Sequence, residues 1–153
     1  MVGKYRFKGD NMKISTRGRY ALRVMIDLAE HNNGGYIPLK EIAERQEISQ
    51  KYLEGIMTDL SKKHLVDALH GKGGGYKLMK DAQDYTVKEI LLSTEISLEP
   101  IACLEEGAPP CDRAAECRTL KMWQNFSKLV NDYFEGISLQ DLTKIKPEDN
   151  YVI

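Results

Sequence analysis

Residues 42–57 read IAERQEISQKYLEGIM, and this stretch decides the fold. Leu39, Ile42 and Ala43 recur at helical spacing after Pro38, a residue suited to the start of a helix. Glu47-Ile48-Ser49 interrupts that pattern for one brief turn, and Ser49 is a good N-cap for the following QKYLEGIMTDLSKK. On this second helix Tyr52 or Leu53, Ile56 and Leu60 face a core, while Gln50, Lys51, Glu54 and Thr58 make a separate polar face. Two helices joined by so short a turn match the helix-turn-helix pattern.

The flanking sequence extends the pattern in both directions. Upstream, GRYALRVMIDLAEH places Ala21, Val24, Met25 and Leu28 on one broad apolar face, with Leu22, Ile26 and Ala29 beside it. Ser15 or Thr16 can cap that helix, and Asn32-Asn33-Gly34-Gly35 ends it. Downstream, residues 65–69 alternate as a strand does, and Tyr76–Met79 reads as the partner strand. The connection HGKGGGY makes the pair a hairpin, and a hairpin directly after a recognition helix is a wing. GKGGG lacks the spacing of a nucleotide-binding loop and precedes no helix, so its glycines are expected to let the backbone turn with positive φ and approach another backbone, that of DNA.

Thr86-Val87-Lys88-Glu89 has the form of a capping box, opening a helix through Leu92. The segment CLEEGAPPCDRAAEC, residues 103–117, holds all three cysteines of the 153-residue chain. A longer helix is predicted from about Arg118 to Glu135. Trp123, Phe126, Val130, Tyr133 and Ile137 follow steps of three and four, the seam of one helix packing along another. Ser138 and Asp141 cap a last short helix. The fold class is therefore mainly α: a winged helix-turn-helix domain with a two-stranded wing and a long C-terminal dimerisation helix. The expected divisions are 1–11 as a leader or added extension, with Met12 a candidate start, and 12–82 as the winged-helix domain. A connecting helix occupies 83–102 and the cysteine loop 103–117. Residues 118–146 hold the dimerisation helix and the short final helix, and 147–153 form a tail.

Composition narrows the function classes. At 42% hydrophobic and 29% charged residues the chain is globular rather than disordered. It has no apolar run of membrane-spanning length, and its first residues lack the form of a secretory signal. The expected compartment is the cytoplasm, where thiols stay reduced. The formal net charge of −1 hides a division: residues 1–80 carry 15 Lys+Arg against 9 Asp+Glu, and residues 81–153 carry 7 against 14. A basic half joined to an acidic half suits a nucleic-acid-binding domain attached to one that does not bind. Clustered cysteines in a cytosolic chain read as soft metal ligands, for an iron–sulfur cluster or zinc. Either needs a fourth ligand besides Cys103, Cys111 and Cys117. His31, His64 and His70 all lie in the other half. No nucleophile is paired with a base, so no enzyme is expected.

Three blocks, MKISTRGRYALRVMIDLAE, IAERQEISQKYLEGIM and GKGGGYKL, resemble the IscR/NsrR/RirA/CymR family of winged-helix transcription regulators, in order from Met12 to about Leu142. The resemblance implies a homodimer on a partly palindromic promoter site, with Cys103, Cys111 and Cys117 at the positions of cluster ligands. The cluster would be of the two-iron or four-iron type. The chain departs from individual relatives: Leu120 stands where IscR proteins have a histidine, and Arg19 where NsrR proteins have an aspartate. The gaps of seven and five residues between the cysteines match RirA.

Ser49, Gln50, Lys51, Tyr52 and Glu54 would then present the recognition helix to the major groove, with Glu54 accepting from a cytosine amine. Arg17, Arg19, Lys62 and Lys63 would contact phosphates. His70, Lys72, Gly73, Gly74 and Gly75 would carry the wing to the minor groove. Loss of the cluster would free the loop joining the two halves and disturb the spacing of about 34–36 Å needed for both half-sites. Two alternatives stand beside this reading. One is a CymR-type regulator of sulfur metabolism acting through a partner enzyme of cysteine biosynthesis, and the other is a zinc-stabilised protein-interaction module.

Overall fold

The computed structural model describes residues 13–150, so the expected leader and the last three residues of the tail lie outside the described residues. Helix α1 (Thr16–Glu30) starts where the Ser15 hydroxyl accepts the Gly18 N–H at 2.9 Å. It buries Ala21, Val24, Met25 and Leu28 against helix α2 (Leu39–Gln46) and helix α3 (Gln50–Lys62). The turn between α2 and α3 passes through Glu47 in the left-handed region, and Ser49 caps α3 by accepting the Tyr52 N–H at 3.2 Å. On α3 it is Leu53, not Tyr52, that enters the core beside Ile56, Met57 and Leu60. Tyr52 stays outside, edge-on to Tyr20.

One polar pair locks α1 to α2. Asp27 is 1% exposed and takes three hydrogen bonds from Arg45, from Nε to both oxygens at 3.0 and 3.3 Å and from Nη2 at 2.8 Å, with Gln46 adding a fourth at 2.9 Å. A buried carboxylate with this many donors is satisfied, and removing Arg45 would strand its charge at a cost of about 3–5 kcal/mol.

Strands β1 (Val66–Leu69) and β2 (Gly75–Leu78) pair antiparallel, Val66 opposite Leu78 and Leu69 opposite Gly75. The sequence missed a third contribution: Ile37 bridges Tyr76 through two backbone hydrogen bonds of 2.8 and 2.9 Å. That bridge accounts for Gly75. A Cβ on Gly75 would lie 2.1 Å from the Ile37 carbonyl oxygen, and one on Gly74 would lie 2.2 Å from that of Leu69. At Gly74 and Gly75 the chain makes a close backbone approach within the domain.

Tyr85 closes the base of the wing. Its side chain is fully buried, and its hydroxyl donates to the Leu65 carbonyl at 2.6 Å while accepting the Met79 N–H at 2.9 Å. Helix α4 (Val87–Leu92) follows, with Thr86 accepting the Glu89 N–H at 3.1 Å. Only half of the expected capping box forms here, because the Glu89 carboxylate turns to Lys80 at 2.9 Å.

Helix α5 (Leu120–Glu135) begins two residues later than expected, and helix α6 (Leu139–Thr143) carries the complete capping box between Ser138 and Asp141. The chain returns to the winged helix before α6: Val87 N–H donates to Ile137 O at 2.9 Å and Leu139 N–H to Tyr85 O at 3.0 Å. Leu139 is fully buried in the same core as α1. Tyr85, Ile90 and Leu139 thus complete the core of the winged helix, while Val87, Leu91, Ile137 and Leu142 form a second cluster beside it.

The expected seam does not hold as one face: Phe126 and Tyr133 are exposed, Trp123 and Val130 are half-buried and Ile137 turns inward, while Met122, Leu129 and Phe134 lie outside it. Phe134 and, beyond the helix end, Ile137 pack with Val87, Leu91 and Leu98. Met122, Phe126, Leu129 and Tyr133 form an outer stripe, with Leu129 66% and Tyr133 65% exposed. No residue of α5 is buried within the chain.

Candidate nucleic-acid interface and cysteine loop

Gln50, Lys51, Tyr52, Glu54 and Thr58 stand exposed along α3, with Ser49 at its tip and Lys62 and Lys63 at its far end. The apolar side of the helix is fixed in the core, so this polar side is the one presented outward. Arg19 is exposed and donates to the Thr16 hydroxyl at 3.0 Å. Arg17 is held by a carboxylate: its guanidinium donates to Asp59 Oδ2 from Nε at 2.7 Å and pairs through Nη2 at 2.6 Å. Arg23, which the sequence did not single out, lies over the Tyr20 ring and binds Gln46, linking the aromatic pair Tyr20–Tyr52 to the end of α2.

At the wing, His70, Lys72 and Gly73 are exposed, Gly74 is half-buried and Gly75 buried. Gly73 takes positive φ at the tip, as the turn requires. Behind the tip, the Tyr36 hydroxyl donates to Asp67 at 2.6 Å, and Lys77 lies 4.6 Å from the centre of its ring. The hydrogen bond to Asp67 raises the Tyr36 pKa above its ordinary value.

The three cysteines are exposed free thiols. Cys103 sits in a 3₁₀ turn over Ala102–Leu104, and Cys117 follows another over Ala114–Glu116. Cys117 Sγ lies 3.6 Å from the Thr119 hydroxyl. Hydrogen bonding from Thr119 lowers its pKa below that of an ordinary thiol. Glu105, Glu106, Asp112 and Glu116 are exposed around them. Among the described residues no group of three or more Cys, His, Asp or Glu converges as metal ligands do, so the loop does not bring the three thiols into a formed site. In chemistry the donor set suits a thiophilic metal or cluster: the thiols are soft, free and accessible.

The segment between α4 and the loop touches both halves of the chain, and sequence reading missed this entirely. Glu95 accepts from the Ser15 N–H at 2.8 Å and from its hydroxyl at 2.5 Å, at the start of α1. Four residues on, Glu99 accepts from Ser127 and from Asn131 on α5. A carboxylate at a helix N-terminus also meets the positive end of its dipole.

Residues 14–145 match the Rrf2 family, described as iron-dependent transcriptional regulators. The chain belongs to that family. Among Rrf2 relatives, the transcriptional regulator IscR of Photorhabdus laumondii is 37% identical over 131 residues, covering 86% of this chain and 79% of its own. The solved structure of T. potens IscR aligns with a TM-score of 0.69 at 32% identity, over 92% of this chain and 93% of its own. That of CymR, the global cysteine regulator of B. subtilis, aligns at 0.68 and 31% identity, over 86% and 95%. The mainly helical architecture with its two-stranded wing is thus the Rrf2 winged helix. Like those relatives, this Rrf2 chain is a DNA-binding transcription regulator and not an enzyme. No helix among its described residues is long and apolar enough to cross a membrane.

Proposed function

We propose that this chain is a cytoplasmic homodimeric regulator whose affinity for a partly palindromic promoter depends on an iron–sulfur cluster held by Cys103, Cys111 and Cys117. The observation that carries the reading is the place of the three free thiols. They lie between a connector fastened to the DNA-binding domain and α5, in a chain whose family is described as iron-dependent. A bound cluster would supply iron chemistry responsive to metal supply or oxidants. Its fourth ligand must come from outside the three thiols.

What this chain's own residues do follows from their placement. Gln50, Lys51 and Glu54 present polar groups for base edges, with Ser49 and Tyr52 at the start of the same helix. Arg19, Lys62, Lys63, His70 and Lys72 give positive charge for phosphates, and Gly73 lets the wing turn. The outer stripe of α5 fits the matching stripe of a second copy, because self-complementary apolar faces bury each other about a two-fold axis. Glu95 and Glu99 brace the connector against α1 and α5, so ordering the loop would fix the angle between reading helix and dimer axis.

A second reading keeps the regulator and makes the cysteines redox thiols. The lowered pKa and open position of Cys117 favour it, since the thiolate is the reactive form. A partner enzyme has no support in the comparisons. The zinc module has no family description in its favour. The test is anaerobic purification with iron and sulfide assays on the natural chain and on Cys111→Ala. Matched iron and sulfide, lost in the variant, support the cluster. A natural chain that stays free of iron after reconstitution moves the proposal to redox thiols.

A further inference from the structure

Arg17 and Asp59 are 42 residues apart in sequence, yet they make the tightest polar contact between α1 and α3. A glycine opens the space for it. A Cβ on Gly55 would lie 3.0 Å from Nη2 and 3.2 Å from Nη1 of Arg17, so the guanidinium lies against bare backbone. Gly55 and Asp59 are one turn apart and flank the outward row of Lys51, Glu54 and Thr58. The side chains of Arg17 and Asp59 are only 34% and 27% exposed, which places the pair at the edge of the reading face rather than free in solvent. Nε and Nη2 both address the same Asp59 oxygen, leaving the Nη1 edge of the fork without a partner among these contacts.

We propose that Asp59 is a positioning residue for DNA recognition: it turns Arg17 from a mobile phosphate contact into a fixed, direction-specific donor beside Glu54. This rests on the proposal that α3 is the reading helix. An isolated arginine attracts any phosphate equally, whereas a guanidinium locked in orientation meets one groove position and register only. Asp59 also subtracts a positive charge from the interface, which lowers affinity for arbitrary DNA. Both effects raise the ratio of specific to non-specific binding, although Asp59 touches no DNA itself.

The experiment measures affinity for two duplexes: one selected by the natural full-length protein from a randomised library, and a scrambled duplex of equal length. Asp59→Ala is expected to reduce the specific-to-scrambled ratio about 10-fold, while affinity for the scrambled duplex holds or rises and its salt dependence steepens. Arg17→Lys keeps the charge without the fork and is expected to lose discrimination with little change on the scrambled duplex. Gly55→Ala crowds the guanidinium at 3.0 Å and is expected to act in the same direction, more weakly. A purely structural ion pair gives a different result: lower thermal stability, with both affinities falling together. An unchanged ratio in well-folded Asp59→Ala and Arg17→Lys overturns the positioning role. Failure of the natural protein to select any sequence overturns the reading helix as well.

Discussion

Truncation of Leu129 to alanine tests whether α5 joins two copies of the chain. Leu129 is 66% exposed, in an outer stripe with the exposed Met122, Phe126 and Tyr133. Full burial of a leucine is worth about 1.5–3 kcal/mol, so covering the exposed two-thirds is worth about 1–2 kcal/mol per copy. A two-fold interface contains the residue twice, which gives about 2–4 kcal/mol and a dimer weakened between about 30- and 700-fold. Sedimentation velocity over a concentration series reads this directly. Phe134→Ala is the control, because Phe134 faces the inner cluster with Val87 and Leu91 and should lower Tm while leaving association intact. A natural chain that sediments as a monomer, or a Leu129→Ala dimer as tight as the natural one, would refute the reasoning.

Other expectations concern the frame that holds the interface. Tyr85→Phe deletes a buried hydroxyl that serves Leu65, Met79 and Lys80, and should cost about 1–3 kcal/mol in denaturant unfolding. Gly75→Ala drives a Cβ into the Ile37 carbonyl and should separate the wing from that segment, costing about 2 kcal/mol or more and weakening binding to any duplex. Asp141 is held below the ordinary carboxylate pKa by hydrogen bonds from the Ser138 backbone and side chain. Its folded value lies under its unfolded one, so the stabilisation is present above the ordinary carboxylate range and fades as pH falls through the folded value. Asp141→Asn should therefore flatten the acid side of the stability–pH curve, read by thermal unfolding between neutral and acid pH.

The parts of the fold visible in the sequence are those governed by local rules. Ser15, Ser49 and Ser138 cap the helices they were expected to cap, since a cap depends on residues three positions away. The helix-turn-helix and the hairpin follow from periodicity in the same way. The missed features join distant segments: Ile37 to Tyr76, Arg17 to Asp59, Glu95 to Ser15. Ile37 is a single bridging residue between a glycine turn and a proline, too short to show alternation. Charged residues such as Glu95 and Asp59 look like solvated side chains in sequence, because nothing local announces a partner 80 or 42 positions away. The apolar spacing of the seam was legible, but spacing alone could not say that Ile137 turns inward while Phe126 and Tyr133 face out, nor that Phe134 packs inward beside it. The cysteines were legible by type and clustering, and their arrangement as ligands was not, because ligand convergence is a property of three dimensions.

In the proposed function the state of the cysteine loop sets DNA affinity. The most direct measurement is a fluorescence-anisotropy titration of the selected palindromic duplex, comparing anaerobically prepared natural protein with Cys111→Ala at equal dimer content. Curves separated by about 10-fold or more in affinity are expected, within the usual range of coupling between two sites. Superimposed curves, from a natural protein carrying iron and sulfide and a variant carrying neither, would contradict that proposal.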